Sequence, residues 1–234
     1  MKISNKIGIT YIVVLFISTS SFSQDIGAER GVPQIHAFGQ LGASTTKNNL
    51  GDENINLVRA KIYYYPTYNN TGSIITTTGR KYSITNINFN IYSNNFDSKM
   101  SADSIYVFDN NQIKSVKINN RIFKTYFNSE VSRNRMYEVI YESDNVTLLR
   151  KDKMVYTEVR DPLNVNKPKI NYKKEVNYYV KKADNLKKIV LKKKSMLKLF
   201  NDEKNMVADY AKKNNLSFKN ERDVSMILKY YNSL

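Results

Sequence analysis

The chain has 234 residues, no Cys, one His, and 37 Lys+Arg against 21 Asp+Glu, for a net charge of +16. The missing thiols exclude disulfides, thiolate metal sites and a cysteine nucleophile, and a single imidazole cannot build a multi-histidine metal centre. A hydrophobic content of 41% excludes a wholly disordered chain.

Residues 1–23 read as a secretory signal peptide. Lys2 and Lys6 form a basic start, Ile7 to Ile17 an uncharged apolar stretch, and Ser21 and Ser23 the small residues before a cut at Gln24. A membrane anchor is the competing reading, but a span needs roughly 20 apolar residues. The mature chain has no other stretch of that hydrophobic length and no Cys for a lipid thioether. It is therefore expected in the periplasm or outside a Gram-negative cell, after cleavage near Ser23-Gln24.

Residues 24–60 read as a flexible lead-in, rich in Gly, Ser, Thr and Asn and weak in apolar periodicity; His36 lies here. Residues 61–168 read as an antiparallel β region. Its runs are Lys61 to Tyr65, Gly72 to Thr77, Lys81 to Tyr92, Ser104 to Phe108, Ile113 to Ile118, Arg121 to Phe127, Met136 to Tyr141, Val146 to Arg150 and Val155 to Val159. Asp109-Asn110-Asn111, Asn119-Asn120 and Ser143-Asp144-Asn145 read as hairpin turns, because Asn and Asp tolerate positive φ. Asp161-Pro162 and Lys167-Pro168 mark a connection.

Residues 169–234 read as a basic β-hairpin plus carboxyl-terminal helices packed on the β region. Glu175 to Lys193 fits a helical stripe or two strands around Ala183-Asp184-Asn185, and its Tyr and β-branched content favours the hairpin. Ser195 to Phe200 is a short helix. Asn201 or Asp202 is placed to cap the next, with Met206, Val207, Tyr210 and Ala211 as its stripe and Asn214-Asn215 as its stop. Asn220 is placed to cap the last, where Val224, Ile227, Leu228 and Tyr231 recur at helical spacing. The fold class is α+β: mainly an antiparallel meander or sheet, with two to three helices at the carboxyl end.

Three sets of residues carry a resemblance. They are Tyr65-Pro66-Thr67-Tyr68 with Gly72-Ser-Ile-Ile and Thr78-Gly79; Ile113 to Phe123 with Tyr137 to Tyr141 and Leu148-Leu149; and Lys194 to Phe200 with Tyr210 to Leu216 and Tyr230-Tyr231-Asn232. Together they resemble a family of exported, functionally uncharacterised proteins of Gram-negative bacteria, over roughly residues 60 to 234. The resemblance implies a β-rich body with a short helical tail, supports the hairpin at 175–193, and brings no catalytic residues.

No residue pattern points to catalysis, a cofactor or a metal. His36 has no nucleophile motif nearby. Glu138 and Glu142, four apart on a strand, are expected on one face, where they read as solvated acids rather than a glycosidase pair. Asp109-Asn110-Asn111 and Asp52-Glu53-Asn54 are too short for calcium loops. The Tyr groups 63–65, 178–179 and 230–231 read as packing residues.

Residues 169–234 carry 17 Lys+Arg against 7 Asp+Glu, whereas 24–168 carry 18 against 14. This excess is either a polyanion-binding feature or a codon effect. Equally abundant neutral Asn favours the latter. Lys181, Lys182, Lys187, Lys188, Lys192, Lys193 and Lys194 are the candidate contacts to an anionic surface, against the plainer reading that they guard a strand edge. The functional expectation is a non-enzymatic envelope protein that binds or scaffolds another protein. The alternative is a basic binder of anionic envelope material through 169–234, and a carboxylate-dependent hydrolase stands third. Export makes nucleic acid a poor partner.

Overall fold

The structure is a computed structural model and describes residues 44–47, 62–101, 104–159 and 169–234. The signal segment, His36, Asp52-Glu53-Asn54 and the two Asp/Lys-Pro steps lie outside the described residues.

Alternating apolar runs form two antiparallel sheets. The strands are β1 (Ser44–Lys47), β2 (Thr71–Thr76), β3 (Lys81–Thr85), β4 (Ile87–Asn90), β5 (Asn95–Lys99), β6 (Ser104–Val107), β7 (Ile113–Ile118), β8 (Arg121–Asn128), β9 (Arg133–Glu142), β10 (Thr147–Val159), β11 (Lys169–Lys182) and β12 (Asn185–Ile189). The eight-stranded sheet runs β12-β11-β10-β9-β8-β7-β2-β3, so β7 to β12 form a meander, and the four-stranded sheet runs β1-β6-β5-β4. Three helices follow: α1 (Lys193–Leu197), α2 (Lys204–Lys213) and α3 (Glu221–Tyr231). The α+β class read from the sequence is the class observed.

Several sequence expectations need correction. Strand β1 falls inside the segment read as a flexible lead-in and pairs with β6. Of the run read from Lys61 to Tyr65, the described residues 62–65 form no strand; among them Tyr63 makes an isolated bridge to Asn90. The run 81–92 breaks at Asn86, whose φ is +52°, so β3 stays in the large sheet while β4 begins the small one. Residues 109–111 do not close a hairpin; Asp109 instead caps a 3₁₀ turn over Asn110–Gln112. That turn carries the chain from β6 in one sheet to β7 in the other. Val155 to Val159 is not a separate strand but the far end of β10. No side chain caps α2 at its start, because a 3₁₀ turn over Asn201–Glu203 leads directly into it. By contrast, β11 and β12 form the expected hairpin, and Asn220 caps α3 by accepting from the N–H groups of Arg222 and Asp223.

Five of the seven non-glycine residues with positive φ among the described residues are Asn (86, 94, 119, 201 and 215). With only eight Gly in the chain, Asn takes the left-handed positions that Gly usually fills. Gly72 serves differently. A Cβ there would sit 2.9 Å from the Lys117 carbonyl oxygen and 3.1 Å from Ile87, so β2 can lie against β7 and β4 only without a side chain.

One face of the large sheet is covered in two halves. The small sheet packs on β2, β3, β7 and β8 around Ile74, Ile84, Ile87, Phe89, Phe96, Ile118 and Phe123. The helices pack on β9 to β12 around Leu148, Val180, Met196, Phe200, Val207, Val224, Ile227 and Leu228. The opposite face carries a small cluster drawn from the sheet alone: Tyr126, Tyr137, Val139, Leu149, Tyr179 and Leu186.

Strands β9 and β10 pair only as far as Glu138↔Arg150. Beyond that point the buried side chain of Asn94, from the β4–β5 turn, takes the place of a strand. Its Nδ2 donates to the Met136 carbonyl at 3.1 Å and its Oδ1 accepts from the Met136 N–H at 2.9 Å. Asn94→Ala strands both backbone groups in the interior and is expected to cost about 2–4 kcal/mol in urea unfolding. Asn94→Gly keeps the φ of +61° and should lose a similar amount; a neutral Asn94→Gly would show that the amide does not hold the two layers together.

Candidate functional site

A cluster of charges lies at the junction of the two halves, on the covered face. Glu138 is 5% exposed and Asp152 4%. Neither can be buried as an ion without a partner, and both have several. Arg121 and the Tyr64 hydroxyl donate to the Glu138 carboxylate, the latter at 2.9 Å. Arg150 donates through Nε and Nη2 to Asp152 at 2.8 and 3.3 Å, and Lys174 stands 2.6 Å from the same carboxylate. Through Nη1, Arg150 also reaches Glu221 on α3 at 3.2 Å, where the Tyr178 hydroxyl donates at 2.6 Å. Burial works against the Arg150 charge, but the hydrogen bond and attraction from Asp152 more than offset it and raise its pKa. Burial and the Glu138 carboxylate likewise push the Tyr64 phenol up.

Three acids thus face three cations, and each carboxylate already holds at least two donors. That saturation supports a structural role, joining the 62–68 segment, β8 to β11 and α3. Glu138 and Glu142 do not share a face as expected. The β9–β10 register slips between Leu148 and Leu149, and Ile140 and Tyr141 both pack on the helix side. This bulge turns Glu142 to the opposite face, where it accepts from Lys124 at 2.8 Å and from Tyr126 at 3.4 Å. Glu138 is buried rather than solvated.

The seven candidate lysines separate into three groups. Lys182, Lys187 and Lys188 line a cleft of about 310 Å³ between the β11–β12 hairpin and the chain after α1. Val180, Ile189 and Leu199 give it apolar walls, and Lys198 adds a fourth cation that the sequence pattern did not single out. No carboxylate lines it. Lys182 is held in place, with its ammonium donating to the Leu199 carbonyl and standing 5.4 Å from the centre of the Tyr231 ring. Strand β12 is an edge strand, so Lys187 and Lys188 also guard it against pairing with another chain. Lys181 belongs to the other side, lining an open groove with Tyr126, Phe127 and Leu186. Lys192, Lys193 and Lys194 sit at the start of α1 and line neither.

The tyrosine groups are used in packing. Tyr64 meets Phe123 edge-on at 5.6 Å, Tyr137 meets Tyr179 at 5.2 Å, and Tyr210 stacks on Tyr230 at 4.0 Å. Among the described residues no group of three or more His, Asp and Glu is arranged to hold a metal ion. No helix of the described residues is long and apolar enough to cross a membrane. Family models, curated proteins and solved structures were all compared with the chain, and none matches it.

One buried carboxylate has no ion pair among the described residues. Asp97 on β5 is 1% exposed; Tyr68 donates to it at 2.7 Å and Tyr63 at 3.0 Å, and the Asn90 side chain adds a weaker hydrogen bond. Burial outweighs these hydrogen bonds and pushes its pKa up to about 7. The folded state therefore holds this proton more tightly than the unfolded one. Folding is favoured below the unfolded pKa, near 4, and loses stability as pH rises through the folded value of about 7. Asp97→Asn cannot ionise. Unfolding free energies from urea denaturation at pH 5 and pH 8 should show wild type losing about 2–3 kcal/mol more than Asp97→Asn over that interval; parallel behaviour would mean that Asp97 is already charged at pH 5.

Proposed function

We propose that the protein is a non-enzymatic exported binding protein whose lysine-rimmed cleft takes an anionic amphiphile of the cell envelope. The observation that carries this reading is the lining of the cleft: Lys182, Lys187, Lys188 and Lys198, three apolar residues and no acid. Such a lining favours a ligand with one phosphate or carboxylate head on a short apolar group. The head meets the ammonium groups at the rim, and the apolar part covers Val180, Ile189 and Leu199. The volume is at the small end for ligand pockets, so it suits a head group and its first few carbons rather than a whole lipid.

Export rests on the basic start, the apolar stretch and the small residues before Gln24. The codon reading accounts for the number of lysines but not for their convergence around apolar walls. A protein-scaffolding role has no comparably specific feature behind it.

Calorimetric titration with dihexanoyl phosphatidic acid, kept below its micelle concentration, tests the reading against dihexanoyl phosphatidylcholine. Binding of the anionic lipid alone is expected, weakening with salt. Lys187→Gln/Lys198→Gln should reduce it about tenfold without lowering stability, since both side chains are exposed. Equal binding of both lipids, or an unaffected double variant, would contradict the cleft as the site.

A further inference from the structure

We propose that the open face of the eight-stranded sheet, centred on Arg135 and Lys151, binds a linear acidic polysaccharide, independently of the lysine-rimmed cleft. The inference starts from how charge is sorted along β9 and β10. Side chains alternate between faces on a strand. On the covered face, Glu138, Arg150 and Asp152 are bound into ion pairs. On the open face the cations of these two strands are Arg133, Arg135, Lys151 and Lys153, and among the described residues no carboxylate forms an ion pair with any of them, although Glu175 on β11 stands across from Lys153 and Glu142, farther along β9, is paired with Lys124. Composition fixes how many cations a chain has. It does not place Arg150 among acids on one face of the two strands and four cations without an ion pair on the other.

The four cations oppose one another. Lys151 stands 5.6 Å from the centre of the Tyr137 ring. Burial lowers its pKa, and Arg135 and Lys153 lower it further; Glu130 pulls the other way, more strongly than Arg133 adds to the lowering. Burial and Arg133 act on Arg135 in the same direction. The Nε of Arg135 is shut off from water and has no acceptor. An arriving anion relieves this repulsion.

Same-face neighbours along a strand are about 7 Å apart, too far for one small oxyanion to bridge all four cations. The geometry suits an extended chain with repeating charges. Nucleic acid is disfavoured because the rings between the cations, Tyr137 and Tyr179, are 1% and 7% exposed and offer no face for a base. A polysaccharide with a carboxylate or sulfate on successive sugars needs no stacking. Its hydroxyl groups suit the amide of Asn177, which lies directly across from Lys151.

The test is binding of a polygalacturonate oligomer of about ten sugars to the chain, measured over a range of salt. Arg135→Gln/Lys151→Gln should bind at least tenfold more weakly, with a salt slope shallower by about 1–2, and should unfold no more easily than wild type. Lys212→Gln/Lys213→Gln on α2 should bind as wild type does, which separates a site from net charge. Lys187→Gln/Lys198→Gln should also retain binding, so failure of the cleft and failure of this face are distinguishable. Unchanged binding by Arg135→Gln/Lys151→Gln, or an equal loss in the α2 pair, would overturn the proposal. So would equal affinity for polyglutamate or single-stranded DNA.

Discussion

A carboxylate taken out of water must meet a cation or give up its charge, and much of this molecule follows from that constraint. At the junction between the small sheet and the helices, Glu138 and Asp152 meet Arg121, Arg150 and Lys174. Arg150 then reaches out to Glu221, fixing the last helix to the strand that both halves share. The apolar clusters to either side can form only where these charges are already answered. Asp97 shows the other solution. With two phenols and the Asn90 side chain for company, and no ion pair among the described residues, it keeps its proton up to about pH 7.

The same constraint gives the large sheet two unlike faces. The covered face spends its cations on its acids, while the opposite face has a thin apolar island of Tyr137, Leu149 and Tyr179 beneath long basic side chains. Lys151 lies over the Tyr137 ring, and burial works against its charge and that of Arg135. At the hairpin end of the sheet, Lys182, Lys187 and Lys198 gather around apolar walls with no acid among them. Among the described residues, no carboxylate forms an ion pair with Lys182, Lys187, Lys198, Arg135 or Lys151.

Much of the fold was legible because its signals are local. Asn119-Asn120, Ser143 to Asn145 and Ala183-Asp184 turn where Asn, Asp and Ser suggest, and Asn220 caps as its side chain allows. What escaped was set by single residues whose effect is tertiary. The left-handed Asn86 sends one continuous apolar run into two sheets. The bulge at Ile140 and Tyr141 separates Glu138 from Glu142 across the sheet, and strict alternation cannot anticipate it. Asn94 replaces a strand through a contact 42 residues away. The lysine cleft was legible only in part: Lys182, Lys187 and Lys188 stood out as doublets, but isolated Lys198 did not, and Lys192 to Lys194 stood out without belonging. Arg135 and Lys151 were missed because a charged residue at every second position reads as an ordinary solvated face.

The most direct test of this division between answered and unanswered charge is side-chain NMR of the Arg and Lys groups during titration with dihexanoyl phosphatidic acid and, separately, oligogalacturonate. The expected result is that the lipid moves the signals of Lys182, Lys187 and Lys198, and that the sugar moves those of Arg135 and Lys151. Arg121, Arg150 and Lys174, already held by Glu138, Asp152 and Glu221, should stay still in both. Small, uniform shifts across all exposed lysines, or movement of Arg150 ahead of Arg135, would contradict it.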